Sequence, residues 1–514
     1  MARYNIAILF LFIAGCKTAD RVEQNSQQVY KETHRPQFHF SPKAKWMNDP
    51  NGMVFLDGEY HLFYQHYPEG DVWGPMHWGH AVSKDLVHWE HLPIALYPDS
   101  LGMIFSGSAV FDQHNTSGLG TLENPPLVAI FTYHKMEGEK AGRIDYQTQG
   151  LAYSLDKGRT WTKYNGNPVV KNPGIKDFRD PKVFWHEDSK RWVMILAVLD
   201  HVEFYGSPDL KSWNKLSDFG KDYGSHGGVW ECPDLFELEV PGINQKKWVM
   251  LLSINPGGPN DGSGTQYFLG NFDGKTFTSD TPKNDTLWID YGPDDYAGVT
   301  WSNIPVDDGR RIFLGWMSNW NYANVVPTSP WRSAMTIPRE LTLAKINDEI
   351  RLTSTPINEM DLIVGKTKNF TALTIQDTLI LDKQVDFPLS TFVLAGTVNA
   401  RSFTIQLNND VGENLKFGFD SKSNRFFIDR GNAGNAAFSK NFNAMSYSTR
   451  ISKNEKVNFK IYVDVASVEL FFDDGLNAMT GIFFPTEKFS HAKIYAEDTL
   501  TIYTLDVKEL KGIW

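Results

Sequence analysis

The chain has 514 residues, 50 basic and 61 acidic side chains for a net charge of -11, and 14% aromatic residues. The acidic balance speaks against a nucleic-acid binder, which presents a basic face, and the aromatic content excludes a largely disordered chain. The only cysteines are Cys16 and Cys232, which excludes a disulfide scaffold.

The N-terminus reads MARYNIAILFLFIAGCKTAD. Arg3 precedes an apolar run over 6–14 that is too short to span a bilayer, and small residues stand directly before Cys16. The pattern resembles a bacterial lipoprotein signal over 1–15, cleaved ahead of Cys16, which then carries the lipid. The polar stretch 16–35 reads as a tether. The expected location is outside the cytoplasm, lipid-anchored to a bacterial membrane and facing either the periplasm or the exterior. With Cys16 lipidated, Cys232 has no partner.

From 36 to 345 a rough unit recurs. One element is a polar turn and two apolar strands, as in NDPNGMVFLDGEYHLFYQ and FRDPKVFWHEDSKRWVMILAV. The other is a strand, an Asp-containing turn and an aromatic: Asp85 with Trp89, Asp156 with Trp161, Asp209 with Trp213, Asp273 with Phe277. β-Branched and aromatic runs divided by Gly and Asp are hairpin signatures. Five units at intervals of about 50 to 75 residues predict a five-bladed β-propeller, because a blade buries both faces only against two neighbours. The repeated aromatics are expected to pack between blades. Residues 346–365 read as a linker. From 366 to 514 alternating strands such as SFTIQLNN and VNFKIYVDVASVELFFDDG predict a second all-β domain, a β-sandwich.

Three acids adjoin a proline or a Cys-Pro pair at the start of a unit: Asp49 in WMNDPNG, Asp180 in FRDP and Glu231 in WECPD. A residue before proline is biased toward extended geometry, so Asp49 and Asp180 are expected to be extended at strand entrances. In a propeller the inner strands converge on the axis, which directs all three acids into one cavity. Glycoside hydrolysis needs such a set, one carboxylic acid to protonate the leaving oxygen and one carboxylate to attack the anomeric carbon or activate water. Trp46, Trp73, Trp78, Trp230, Trp301, Trp316 and Trp320 lie in or near the same motifs, where aromatic faces could pack on a sugar ring. Asn48, Gln65 and Arg179 could bond its hydroxyls. His77, His80 and His226 lack a metal-binding spacing of the HExxH kind, so no metal or other cofactor is expected.

These motifs, with FSGS at 105–108, WGPMHWGHAVSKDLVHWEHLPIAL at 73–96 and GWMSNWNYANVVPTSPWRSAMTIPREL at 315–341, resemble glycoside hydrolase family 32, which contains invertases, levanases and inulinases. The resemblance covers about 36–514 and implies a propeller followed by a sandwich, and cleavage of β-fructofuranosides with retention. It implies Asp49 as nucleophile, Glu231 as acid/base and Asp180 as the carboxylate holding the fructosyl hydroxyls and stabilising the transition state. It implies Asn48, Gln65, Trp73, Phe105, Ser106, Arg179 and Trp320 as residues lining the fructosyl site. Retention in turn predicts roughly 5–5.5 Å between the Asp49 and Glu231 carboxyl groups. Exo-release of fructose from levan, inulin or sucrose is the expected activity. Endo-levanase or fructosyltransferase action, and a non-catalytic fructan-binding lipoprotein, are the alternatives. Linkage preference and oligomeric state are not written in the sequence.

Overall fold

A computed structural model describes residues 30–442 and 445–514; Cys16, the expected signal and most of the expected tether lie outside the described residues. Five four- or five-stranded sheets form the blades of a propeller, their strands antiparallel and taken in chain order except where the short strand Trp331–Arg332 joins the first sheet, and two six-stranded sheets form a sandwich behind it. The innermost strands are Lys45–Leu56, Met103–Phe111, Phe178–His186, Val229–Glu239 and Tyr296–Thr300. The first and fifth blades close the ring where Val54 bridges Ser302 and where Trp331–Arg332 runs parallel to Lys45 and Trp46.

The apolar runs explain the ring. The second strands, such as Leu127–His134 and Lys246–Asn255, carry unbroken apolar runs, LVAIF and WVMLL, because both of their faces are covered. Val128 and Ile130 pack toward the third blade while Leu127, Ala129 and Phe131 pack toward the first. Met250 and Leu252 face the third blade, and Val249 and Leu251 the fifth. Each such Val, Leu, Ile, Phe or Met side chain removed from water contributes about 1.5–3 kcal/mol. Asp57 and Gly58, at φ 51° and 81°, make the tight turn of the first hairpin, as an Asp-Gly pair favours. The repeated Asp turns are real: Asp85, Asp209 and Asp273 each accept two backbone N–H groups of the following residues, and Asp156 accepts that of Thr160. The aromatics after them pack between blades, Trp89 on Trp301 and Trp161 on Phe63.

The sandwich follows period-2 burial. In Phe403–Asn408 the side chains of Phe403, Ile405 and Leu407 are buried and alternate with half-buried polar neighbours. One boundary differs from expectation. Residues 346–365 are not a linker throughout: Glu349–Pro356 pairs with Arg339–Ile346 as the outer strand of the fifth blade. A short 3₁₀ helix, Asn358–Ile363, then leads into the first sandwich strand, Val364–Ile375.

The two domains share a core in which Val393, Tyr462, Phe471 and Ala478 of the sandwich join Trp301, Leu314 and Trp316 of the propeller. A buried ionic network crosses the same interface. Arg339 donates to Asp290, Asp295 and the sandwich residue Glu469. His39 is bonded through Nδ1 to Asp464 at 2.8 Å and through Nε2 to Glu469 at 2.9 Å.

Candidate active site

Every inner strand breaks register near its start. The unpaired residues are Asn48 and Asp49, Phe105 and Ser106, Asp180 and Pro181, Cys232 and Pro233, and Ala297 and Gly298. These are β-bulges, which bend a strand and re-aim its side chains. Asp180, Cys232 and Ala297 take left-handed φ values of 63°, 46° and 55°. Asp180 is therefore not extended, as its place before proline had suggested; the bulge overrides that local bias and turns its carboxylate toward the axis.

The bulges surround a pocket of about 220 Å³ whose lining includes Asn48, Asp49, Gln65, Trp73, Phe105, Ser106, Arg179, Asp180, Glu231 and Trp320, the ten residues the motifs singled out. Of the seven tryptophans considered, only Trp73 and Trp320 line it. Trp46, Trp78, Trp230, Trp301 and Trp316 are wholly buried and belong to the core. His77 bonds the Pro75 carbonyl, His80 pairs with His61, and His226 pairs with Asp200.

Asp49 is gripped from three sides. Ser106 Oγ donates to its Oδ2 at 2.7 Å, Asn48 Nδ2 to its Oδ1 at 3.0 Å, and Cys232 Sγ lies 3.5 Å from Oδ2. Trp46 Nε1 donates to Asn48 Oδ1, which fixes the amide so that its nitrogen faces Asp49. Asn51 ties the bulge to the second blade by donating to the Asp49 carbonyl and accepting from Gly107 N–H. Asp180 Oδ2 accepts the Cys232 backbone N–H at 3.1 Å. Glu231 accepts from Arg179 Nε at 3.1 Å and from the Tyr296 hydroxyl, and Arg179 is held in turn by Asp177 at 2.7 Å. Tyr296 and Asp177 were not singled out by the motifs as parts of this site. Tyr296 stands just before the Ala297–Gly298 bulge, and that register break is visible only once strands are paired.

Burial and the charge of Glu231 push Asp49 above the ordinary carboxylate range, against the donors from Ser106 and Asn48. Burial, with Glu231 and Asp49 nearby, pushes Asp180 up to about 7 despite the pull of Arg179. Burial and the same three charges raise the Cys232 thiol, which stays neutral.

A five-bladed propeller with three carboxylates at its axial pocket, backed by a sandwich, has the architecture of a glycoside hydrolase with paired-carboxylate chemistry. Residues 39–356 match the model of the glycosyl hydrolases family 32 N-terminal domain, and 350–510 that of the family 32 C-terminal domain. The chain belongs to glycosyl hydrolase family 32. It is 48% identical to a levanase of Bacillus subtilis, over 100% of this chain and 76% of the relative. It is 39% identical to an extracellular exo-inulinase of Aspergillus niger, over 94% and 96%. Among solved structures, the exo-inulinase of Aspergillus awamori superposes with a TM-score of 0.86 at 36% identity, covering 94% of this chain and 100% of that one. A β-fructofuranosidase of Schwanniomyces occidentalis complexed with fructosyl-erythritol gives 0.84 at 33%, covering 94% and 99%.

Proposed function

We propose that this chain hydrolyses β-D-fructofuranosyl linkages of fructans and sucrose with retention, releasing fructose from chain ends. The observation that carries this reading is the axial pocket in which Asp49, Asp180 and Glu231 meet, in a family whose similar members include levanases and exo-inulinases. Ionised Asp49 attacks C2 of the terminal fructosyl unit, and Glu231 protonates the departing oxygen. The resulting fructosyl ester is hydrolysed by water that Glu231 deprotonates, so configuration is kept. Asp180 holds the ring and offsets the positive charge that develops at C2 and the ring oxygen. Asn48, Gln65, Ser106 and Arg179 bond the fructosyl hydroxyls, and Trp73, Phe105 and Trp320 wall the ring.

Leaving-group dependence separates the two roles. Glu231→Ala should lose activity on sucrose and levan by several powers of ten, recover its first step on a fructoside with a weakly basic leaving group, and turn over faster with azide, which needs no base. Asp49→Ala should gain nothing from the better leaving group by the retaining route. A Glu231→Ala enzyme indifferent to both leaving group and azide would remove Glu231 from the acid/base role. A product time course on levan and inulin tests exo-action: fructose alone from the start supports it, and a ladder of oligosaccharides refutes it.

Export fits the extracellular relatives, and the segment ending at Cys16 supports a lipid anchor. Cys16→Ala should leave the membrane fraction; unchanged membrane partitioning would exclude the anchor.

A further inference from the structure

One wall of the pocket is unused by this chemistry. His134, Glu139, Tyr146 and Gln147 line it, from the end of the second strand of the second blade, the excursion that follows it and the first residue of the third strand. That excursion carries a short helical turn, Met136–Lys140. It abuts Asp177 and Arg179, the groups that hold Glu231. Glu231 protonates the leaving oxygen, so a wall beside it faces the departing sugar.

Hydrogen bonds fix the polarity of this wall. Gln147 Oε1 accepts the Phe178 backbone N–H at 2.7 Å, so its amide nitrogen is the end that faces His134 Nδ1, at 3.2 Å. His134 Nδ1 is therefore an acceptor. Burial pushes the imidazole down to about 4, so it is neutral and carries its one proton on Nε2. The ring is locked by stacking on Phe105 at 4.2 Å between centroids. Glu139 Oε2 lies 3.1 Å from Nε2, yet the N–H is not aligned on it, and the His134 Nε2 proton has no hydrogen-bond partner. The Tyr146 hydroxyl is likewise buried without one. His134 and Tyr146 are only 3% and 5% exposed, whereas the Glu139 side chain is 43% exposed. Two buried polar groups without partners stand behind an accessible carboxylate. A buried donor left unpaired is destabilising, and a hydroxyl that donates to the carboxylate while accepting from the donors would satisfy all three.

We propose that Glu139, with His134 and Tyr146 behind it, binds the hydroxyls of the leaving saccharide and sets the preference among leaving sugars. The inference rests on the proposed fructoside hydrolysis and names the residues of its leaving side. Glu139 accepts from the sugar hydroxyl, Tyr146 and His134 Nε2 donate to it, and Gln147 is the positioning residue, anchored at the start of the strand that carries Asp180.

The test compares kcat/KM for sucrose and for levan- and inulin-derived trisaccharides with that for an aryl β-fructofuranoside, whose leaving group has no sugar hydroxyls. In Glu139→Gln and Tyr146→Phe the ratio of saccharide to aryl kcat/KM should fall roughly ten- to hundredfold for Glu139 and about threefold to tenfold for Tyr146, mostly through KM. The loss should differ between levan- and inulin-type substrates. Equal losses on aryl and saccharide substrates would assign the wall a structural or general catalytic role and overturn the proposal, as would unchanged ratios. Cleavage of the aryl fructoside by the unsubstituted enzyme tests the underlying reading separately. If that cleavage is absent, the proposed function fails; if it is present and the ratios do not move, only the leaving-sugar site fails.

Discussion

His39 should make the joint between propeller and sandwich sensitive to alkali. Its ring is 1% exposed and lies between two carboxylates, Asp464 and Glu469, that are fully buried. Each ring nitrogen faces a carboxylate oxygen, at 2.8 and 2.9 Å, so both must carry protons and the ring is an imidazolium. Burial opposes that charge, but the two carboxylates prevail and raise the histidine from 6.5 to about 9. A folded value above the unfolded one means that the charged ring stabilises the native state fully below about 6.5, and that this stabilisation is lost as pH rises through about 9. A displacement of that size corresponds to about 3 kcal/mol. The carboxylate side has the opposite sign: Arg339 and His39 hold Glu469 below its ordinary value despite its burial. Its contribution is present above about 4.3 and is lost toward acid. The perturbation is His39→Gln, which keeps one donor and removes the titration. Urea unfolding of both proteins at pH 6, 7.5 and 9.5 supplies the comparison, because the difference between them cancels the titrating groups that are not coupled to His39. The native protein should lose about 3 kcal/mol more than the variant between the first and last pH. Parallel pH dependences would refute the imidazolium assignment.

Arg339→Met should cost about 3–5 kcal/mol in urea unfolding at neutral pH, because Asp290, Asp295 and Glu469, all nearly unexposed, lose their common cation; a loss below about 1 kcal/mol would mean the network contributes little. Ser106→Ala removes the 2.7 Å donor to Asp49, so Asp49 should rise further and the acid limb of kcat/KM should move to higher pH by about one unit. An unmoved limb would show that another group sets it. Gly315→Ala should be strongly destabilising in thermal unfolding, because an added Cβ would stand 1.9 Å from Asp295 Oδ1 in the same interface; a near-native melting temperature would show that the interface can shift to accept it.

The two all-β domains, the five-fold repeat and the acids at Asp49, Asp180 and Glu231 are legible in the amino-acid pattern. Both-face burial demands nearly continuous apolar runs in the second strands, and an acid beside a proline or a Cys-Pro pair at the start of repeated units can be recognised without coordinates. The fifth blade's last strand was missed although its signal was present. Asn347 and Asp348, at φ 50° and 69°, form a two-residue hairpin turn, but the polar run that follows lacks the apolar pattern of the other outer strands. The tryptophans were ambiguous for a different reason. A ring in a motif reads the same whether it covers a sugar or fills a core, and burial separated Trp73 and Trp320 from the five that are wholly enclosed. The tertiary structure alone decided which partner each acid meets. Arg179 and Tyr296 reach Glu231 from the third and fifth blades, Cys232 sits between Asp49 and Asp180, and His134 and Glu139 form a wall beside them. These contacts join residues 52 to 183 positions apart along the chain, apart from the local His134–Glu139 pair. They depend on ring closure and on bulges that rotate single side chains, and neither is written in a local pattern.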